Sequence, residues 1–124
     1  RLRNYPNVSF AKGDMHDLPV ADNSFDTLLL MHALTYTNEP QKVFNEASRV
    51  LRPGGRLLAA TLQKHPHKNA VLAYNHLNLG FTESRLRKFC SQCGLEPQNI
   101  QISAVEKRTP NFEVLTLMAG KPLS

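Results

Sequence analysis

Apolar residues recur along this chain with two different periods. Phe25–Met31 is apolar except for Asp26 and Thr27, the pattern of a strand buried on both faces of a parallel sheet. Residues 41–51 change period. Val43, Phe44, Ala47, Val50 and Leu51 form one stripe of an amphipathic helix. Asn38 is placed to cap this helix, with Gln41 completing a capping box, and Pro40 sits in the first turn, where its missing N–H costs little. Pro53-Gly54-Gly55 then stops the helix and permits a sharp reversal into a second buried strand, Arg56–Leu62.

The flanks are more varied. Asn7–Lys12 alternates weakly up to Gly13 and reads as a short strand, and 14–24 is a polar loop. Between 63 and 81, His65-Pro66-His67 reads as a loop, and Ala70, Val71, Tyr74 and Leu77 have the spacing of a short helix. Thr82 is a cap for a helix over 83–93, which Gly94 and Leu95 bring to an end. Ile100–Glu106 and Phe112–Ala119, joined by Lys107–Asn111, predict an antiparallel hairpin. Strands alternating with helices argue for an α/β fold with a mainly parallel sheet, closed by that hairpin.

At 124 residues the chain is one domain or part of one. Its N-terminus, Arg1-Leu2-Arg3-Asn4-Tyr5-Pro6, has neither an initiating Met nor a signal-peptide core, so an excerpt of a longer chain is expected. No apolar run reaches the roughly 18 residues that a membrane-spanning helix needs. The net charge of +5 is spread thinly, and its densest cluster, Arg85, Arg87 and Lys88, lies on a helix face. A nucleic-acid footprint would be a sharper stripe, so nucleic acid is not the expected partner. Cys90 and Cys93 have the spacing of a redox pair or half a zinc site. They share the apolar helix face with Leu86 and Phe89, and core packing is the expectation, with no metal. The cysteine usage sets a reducing cytoplasm as the default compartment.

On open α/β sheets, ligands bind beyond the carboxyl ends of the strands. Three loops leave such ends here: Gly13–Asp17, Met31–Tyr36 and Gln63–His67. Asp14 can accept a hydrogen bond from an exocyclic amine such as that of adenine, or can cap the next turn. Met15 offers a backbone N–H and a soft apolar side chain for a ring face. His32 is a base, or a surface or packed residue. Tyr36 is a hydroxyl donor or an aromatic wall. Asp22 and Asp26 lie near a strand entry, away from these loops, where Asp26 organises a turn with Asn23 and Ser24.

Taken in order, Asp14, Leu18-Pro19, Phe25-Asp26, Arg49-Val50-Leu51-Arg52, Pro53-Gly54-Gly55 and Leu57–Ala60 resemble the second half of a class I S-adenosylmethionine (SAM)-dependent methyltransferase of the small-molecule type. The match is strong over residues 7–62 and looser beyond. It implies a Rossmann-like methyltransferase sheet, ordered 3-2-1-4-5-7-6, from which the first strands and the Gly-rich cofactor loop are missing. Residues 1–124 would then be the C-terminal part of one methyltransferase-like domain. The strand at 7–12 would lack its native neighbour, and the edge of Phe25–Met31 would be left open. A larger protein, a homodimer that swaps strands, or a displaced first strand would resolve this.

The resemblance further implies SAM as cofactor, with its adenine at Asp14 and Met15 and its methionine part beside Leu30, Met31 and His32. Substrate contacts are expected at Tyr36 and in the 63–81 region, foremost at Tyr74 and His76, with His65, His67 and Asn75 nearby. Members of the family often carry a His pair where this chain has Thr35-Tyr36. Methyl transfer from a sulfonium needs alignment more than acid–base help, so no compulsory catalytic residue is expected in this segment. The implied function is methyl transfer to a small-molecule acceptor. The alternatives are a non-catalytic methyltransferase-like binding or regulatory module, and an unrelated α/β nucleotide-binding or electron-carrier domain.

Overall fold

The computed structural model describes residues 15–31, 33–65, 80–105 and 112–123. Its strands are β1 (Phe25–Met31), β2 (Leu51–Leu62), β3 (Glu96–Val105) and β4 (Glu113–Gly120). Its helices are α1 (Pro40–Val50) and α2 (Glu83–Cys93), with a single 3₁₀ turn at Leu34–Tyr36. The strands form one sheet in the order β1-β2-β4-β3. β1 and β2 run parallel, with Thr27 opposite Arg56 and Met31 opposite Ala60. β4 is antiparallel to both β2 and β3. This is the 4-5-7-6 portion of the expected order. The expected strand at 7–12 and the expected helix near 70–77 lie outside the described residues. Among the described residues β1 is an edge strand.

Both helices pack on the same face of the sheet. Val43, Phe44 and Ala47 of α1 and Leu86, Phe89 and Cys90 of α2 bury against Leu57 and Ala59 of β2 and Leu115, Leu117 and Ala119 of β4. Side chains alternate across a sheet. The opposite face therefore carries Leu29 and Met31, which are 42% and 53% exposed, beside half-buried Leu58, Ala60 and Met118. Among the described residues no helix covers that face.

The capping box expected at Asn38 does not form. The cap is Glu39, at φ −128° and ψ 60°, and no side chain caps it. The reason is Pro40: it takes the first helical position and drives the residue before it out of the helical region, which moves the start one residue along. Gln41 instead donates to Asn45 Oδ1 at 3.0 Å and, across the helix pair, to the Phe89 carbonyl at 3.1 Å. The helix ends at Val50, because Leu51 is already extended (φ −78°, ψ 138°). At α2 the local signals hold. Thr82 Oγ1 accepts from Arg85 N at 3.3 Å, Gly94 takes the left-handed conformation (φ +82°), and Leu95 N donates to the Cys90 carbonyl at 2.9 Å.

The C-terminal end of α1 is closed by distant chain. Asn23 N and Ser24 N donate to the Arg49 and Val50 carbonyls, at 2.9 and 2.7 Å. Lys121 Nζ donates to the Ser48 and Leu51 carbonyls, each at 2.7 Å, and to Asn23 Oδ1 at 3.0 Å. A cation here also suits the negative end of the helix dipole. The turn at Asp22–Ser24 is thus held by its own backbone N–H groups, by Asn23 and by Lys121, and not by the Asp26 side chain that was expected to organise it. Among the described residues Asp26 pairs with exposed Arg52, at 3.3 Å.

Cys90 is fully buried and Cys93 half-buried. Burial pushes the Cys90 thiol up to about 12 and raises that of Cys93 as well. A thiolate is the reactive form, and near pH 8 it would be on the order of one Cys90 in ten thousand. Both thiols should therefore react slowly with Ellman's reagent in the native protein and promptly in concentrated guanidinium. Fast, stoichiometric native labelling would contradict the core assignment.

Candidate functional site at the carboxyl ends of the parallel strands

β1 and β2 end on the same side of the sheet, and the chain leaving each turns over that end. Met31 is the last residue of β1, and the 3₁₀ turn Leu34–Tyr36 follows it, held by Tyr36 N donating to the Ala33 carbonyl at 3.1 Å. Leu34 is fully buried and anchors this turn, which leaves Tyr36 49% exposed. Thr37, 1% exposed, accepts at Oγ1 from Glu39 N at 2.9 Å and shares a 2.5 Å hydrogen bond with His16 Nε2. That bond ties the loop before β1 to the loop after it.

The structure brings together two of the three expected loops in this way. Met15 packs against the core cluster, next to His16. Leu30 also faces the core and packs against the same cluster, so its side chain points away from that of Met31. Asp14, His32, Tyr74 and His76 lie outside the described residues. The third loop leaves β2 at Gln63. Gln63 bridges Phe81, whose N–H donates to the Leu62 carbonyl at 2.9 Å, and Lys64 N donates to the Phe81 carbonyl at 2.8 Å. His65 is buried with its ring against Phe112, centroids 4.5 Å apart. Of the expected site residues that the structure describes, Met31 and Tyr36 present exposed surface at the β1 exit. Exposed apolar surface beside polar loops is the usual character of a ligand edge.

One feature of the loop before β1 escaped the sequence reading. Arg49 Nε and Nη2 donate to the two Glu46 oxygens at 2.6 and 2.7 Å. The same guanidinium donates to the Val20 and Leu18 carbonyls at 2.8 and 3.0 Å, and to Asp22 Oδ1 at 2.8 Å. Glu46 Oε2 also accepts from Leu18 N. Glu46 is 8% exposed. Its hydrogen bonds from Arg49 hold its carboxyl below the usual range despite the opposing effect of burial, and the Arg49 guanidinium is shifted upward in return. The stabilisation is therefore present above the ordinary carboxylate pKa and is lost only as the pH falls through the depressed one. The signal in the sequence was Glu46 itself: three residues after Val43, it sits on the buried stripe of α1, where a charge needs a partner.

Comparison with known proteins accords with this architecture. The family model described as "Methyltransferase domain" matches residues 1–59. The demethylmenaquinone methyltransferase of Renibacterium salmoninarum is 44% identical over 64 residues, covering 52% of this chain and 27% of that protein. The malonyl-[acyl-carrier protein] O-methyltransferase of Hahella chejuensis is 34% identical over 102 residues, covering 76% of this chain and 37% of that protein. The chain thus spans between a quarter and two fifths of the length of these curated relatives. The crystal structure of geranyl diphosphate C-methyltransferase from Streptomyces coelicolor A3(2), solved with Mg2+, geranyl diphosphate and S-adenosyl-L-homocysteine, superposes on 88% of this chain. It does so with a TM-score of 0.69 at 17% identity, and half of that protein is covered. Among the described residues no helix is long and apolar enough to cross a membrane.

Proposed function

We propose that this chain, whose residues 1–59 match the methyltransferase-domain family, is part of a class I SAM-dependent methyltransferase, and that its β1 and β2 exits form part of a SAM site serving methyl transfer to a small-molecule acceptor. When bound, SAM supplies a methyl group on a positively charged sulfur. The Asp14 carboxylate accepts from the adenine amine, and Met15 offers its N–H and thioether to the ring. Leu30 contributes through its backbone, since its side chain belongs to the core. Met31 and His32 flank the methionine part, and Tyr36, Tyr74 and His76 contact the acceptor.

The observation that carries this reading is the meeting of the first two loops. The 2.5 Å bond between His16 and Thr37 holds the adenine-side loop against the β1 exit, where Met31 and Tyr36 are exposed. A fixed, partly apolar ledge beside polar loops suits a ligand with an apolar ring and a charged tail. Nothing in this arrangement requires a general base. Alignment of acceptor and methyl can supply most of the rate, with effective molarities reaching about 10⁵ M or more in well-oriented systems.

The test is the conversion of SAM to S-adenosylhomocysteine by the purified protein, with and without acceptor. Demethylmenaquinone and malonyl-[acyl-carrier protein], the acceptors named for the two relatives, are the first to try. Acceptor-dependent product is the expected result. A protein that binds SAM but turns over none with any acceptor would favour the non-catalytic binding or regulatory module.

A further inference from the structure

The Glu46–Arg49 cluster lies on α1, while the loop it holds lies 28 to 31 residues away in sequence at Leu18. Three of its contacts are to main-chain atoms, the Leu18 N–H, the Leu18 carbonyl and the Val20 carbonyl, and one is to the Asp22 carboxylate. The main-chain contacts fix the course of the backbone at Leu18 and Val20 whatever side chains those two positions carry. Upstream, the same loop is fixed a second time by His16 on Thr37. Met15 stands at the start of this doubly held stretch and packs on the core. Arg49 has also formed the pair in full: the guanidinium meets both carboxylate oxygens, the geometry that a point-charge ammonium cannot reproduce.

We infer that Glu46 and Arg49 are positioning residues for the cofactor, acting through the Leu18–Asp22 backbone to hold Met15 and its neighbours where the adenine ring binds. This rests on the SAM-site reading above and adds residues that never touch the ligand. A binding loop that is in place only part of the time weakens apparent affinity by the fraction of time it is competent. Loss of the clamp leaves the loop held at its two ends, by Met15 and His16 at one and by Asn23 and Ser24 at the other, and lets Leu18–Asp22 between them open.

The experiment compares S-adenosylhomocysteine affinity in the wild-type protein, Glu46→Gln, Arg49→Lys and Val43→Ala. Val43, 1% exposed in the core on α1, is the control for lost stability, since its side chain has no part in the Glu46–Arg49 hydrogen bonds. All four are titrated well below their melting temperatures, and amide exchange at Leu18 is followed alongside. If Glu46→Gln and Arg49→Lys leave the competent loop in about a tenth of molecules, each weakens binding about tenfold and speeds Leu18 exchange. 5′-Methylthioadenosine, which keeps the adenine and lacks the amino-acid tail, should weaken by the same factor. Val43→Ala should lower the melting temperature and leave both affinities unchanged.

Faster Leu18 exchange with unchanged affinity overturns the positioning role while leaving the SAM site intact. Equal weakening by Val43→Ala also overturns it, since stability alone would then account for the loss. Wild-type protein that binds neither ligand overturns the SAM-site reading and the positioning role with it.

Discussion

Replacing Phe44 by Ala is expected to cost about 3–5 kcal/mol, a large share of the roughly 5–15 kcal/mol that holds a domain together. Phe44 is fully buried at the junction of α1, α2 and the sheet. Its ring lies 5.3 Å from that of Phe89, which meets Phe81 edge-on at 6.0 Å. Arg85 lies over both of the latter rings, 5.1 and 5.2 Å from their centroids. Truncation at Phe44 removes the only aromatic that α1 contributes to this cluster and leaves a cavity that two helices and a sheet cannot easily collapse around. Phe44→Leu keeps most of the volume and should cost under about 1.5 kcal/mol. Urea denaturation followed by circular dichroism reads both variants, and an alanine variant as stable as the leucine one would contradict the packing described.

The second large effect is expected at Gly80. Its φ is +92°, and a Cβ there would come within 2.7 Å of both the Leu62 and Gln63 carbonyl oxygens. These carbonyls cannot easily withdraw. Leu62 O is bonded to Phe81 N, and Gln63 is held between its bridge to Phe81 and its N–H bond to the Glu113 carbonyl at 2.9 Å. Gly80→Ala should therefore pay the left-handed penalty of about 1–2 kcal/mol and, beyond it, the loss of the junction where β2 gives way to the third loop. Gly94→Ala is the matched control. Its φ is +82°, yet nothing lies within 4 Å of its Cβ, so only the conformational penalty remains. Thermal melts of the pair isolate the clash, and amide exchange at Phe81 and Lys64 locates it. Equal losses in the two variants would show that the β2 exit yields to a methyl group.

What the sequence made legible tracks how local the cause was. α2 was readable because Thr82 and Gly94 act within one turn of the ends they set. The start of α1 was misplaced because a plausible cap at Asn38 lost to the backbone restriction that Pro40 imposes on Glu39. β3 starts at Glu96, four residues before the apolar pattern begins. The polar stretch Glu96–Asn99 is a strand only because β4 pairs with it as far as Gly120. The parallel pair β1–β2 and its carboxyl-end loops were legible from apolar runs and turn residues. Which side chains turn inward was not: Leu30 joined the core while Met31 stayed exposed. The Glu46–Arg49 clamp was hidden for a similar reason. It links residues far apart in sequence, and its one local trace was a carboxylate on a buried stripe.

The central claim, a SAM site at the β1 and β2 exits, is tested most directly by calorimetric titration of the purified protein with S-adenosylhomocysteine, repeated on Asp14→Ala. The account predicts saturable one-to-one binding in the wild type. In the variant it predicts a loss of about tenfold, the worth of one charge-assisted hydrogen bond of roughly 1.5 kcal/mol. Absence of binding in a protein shown to be folded, or binding that Asp14→Ala leaves unchanged, would contradict it.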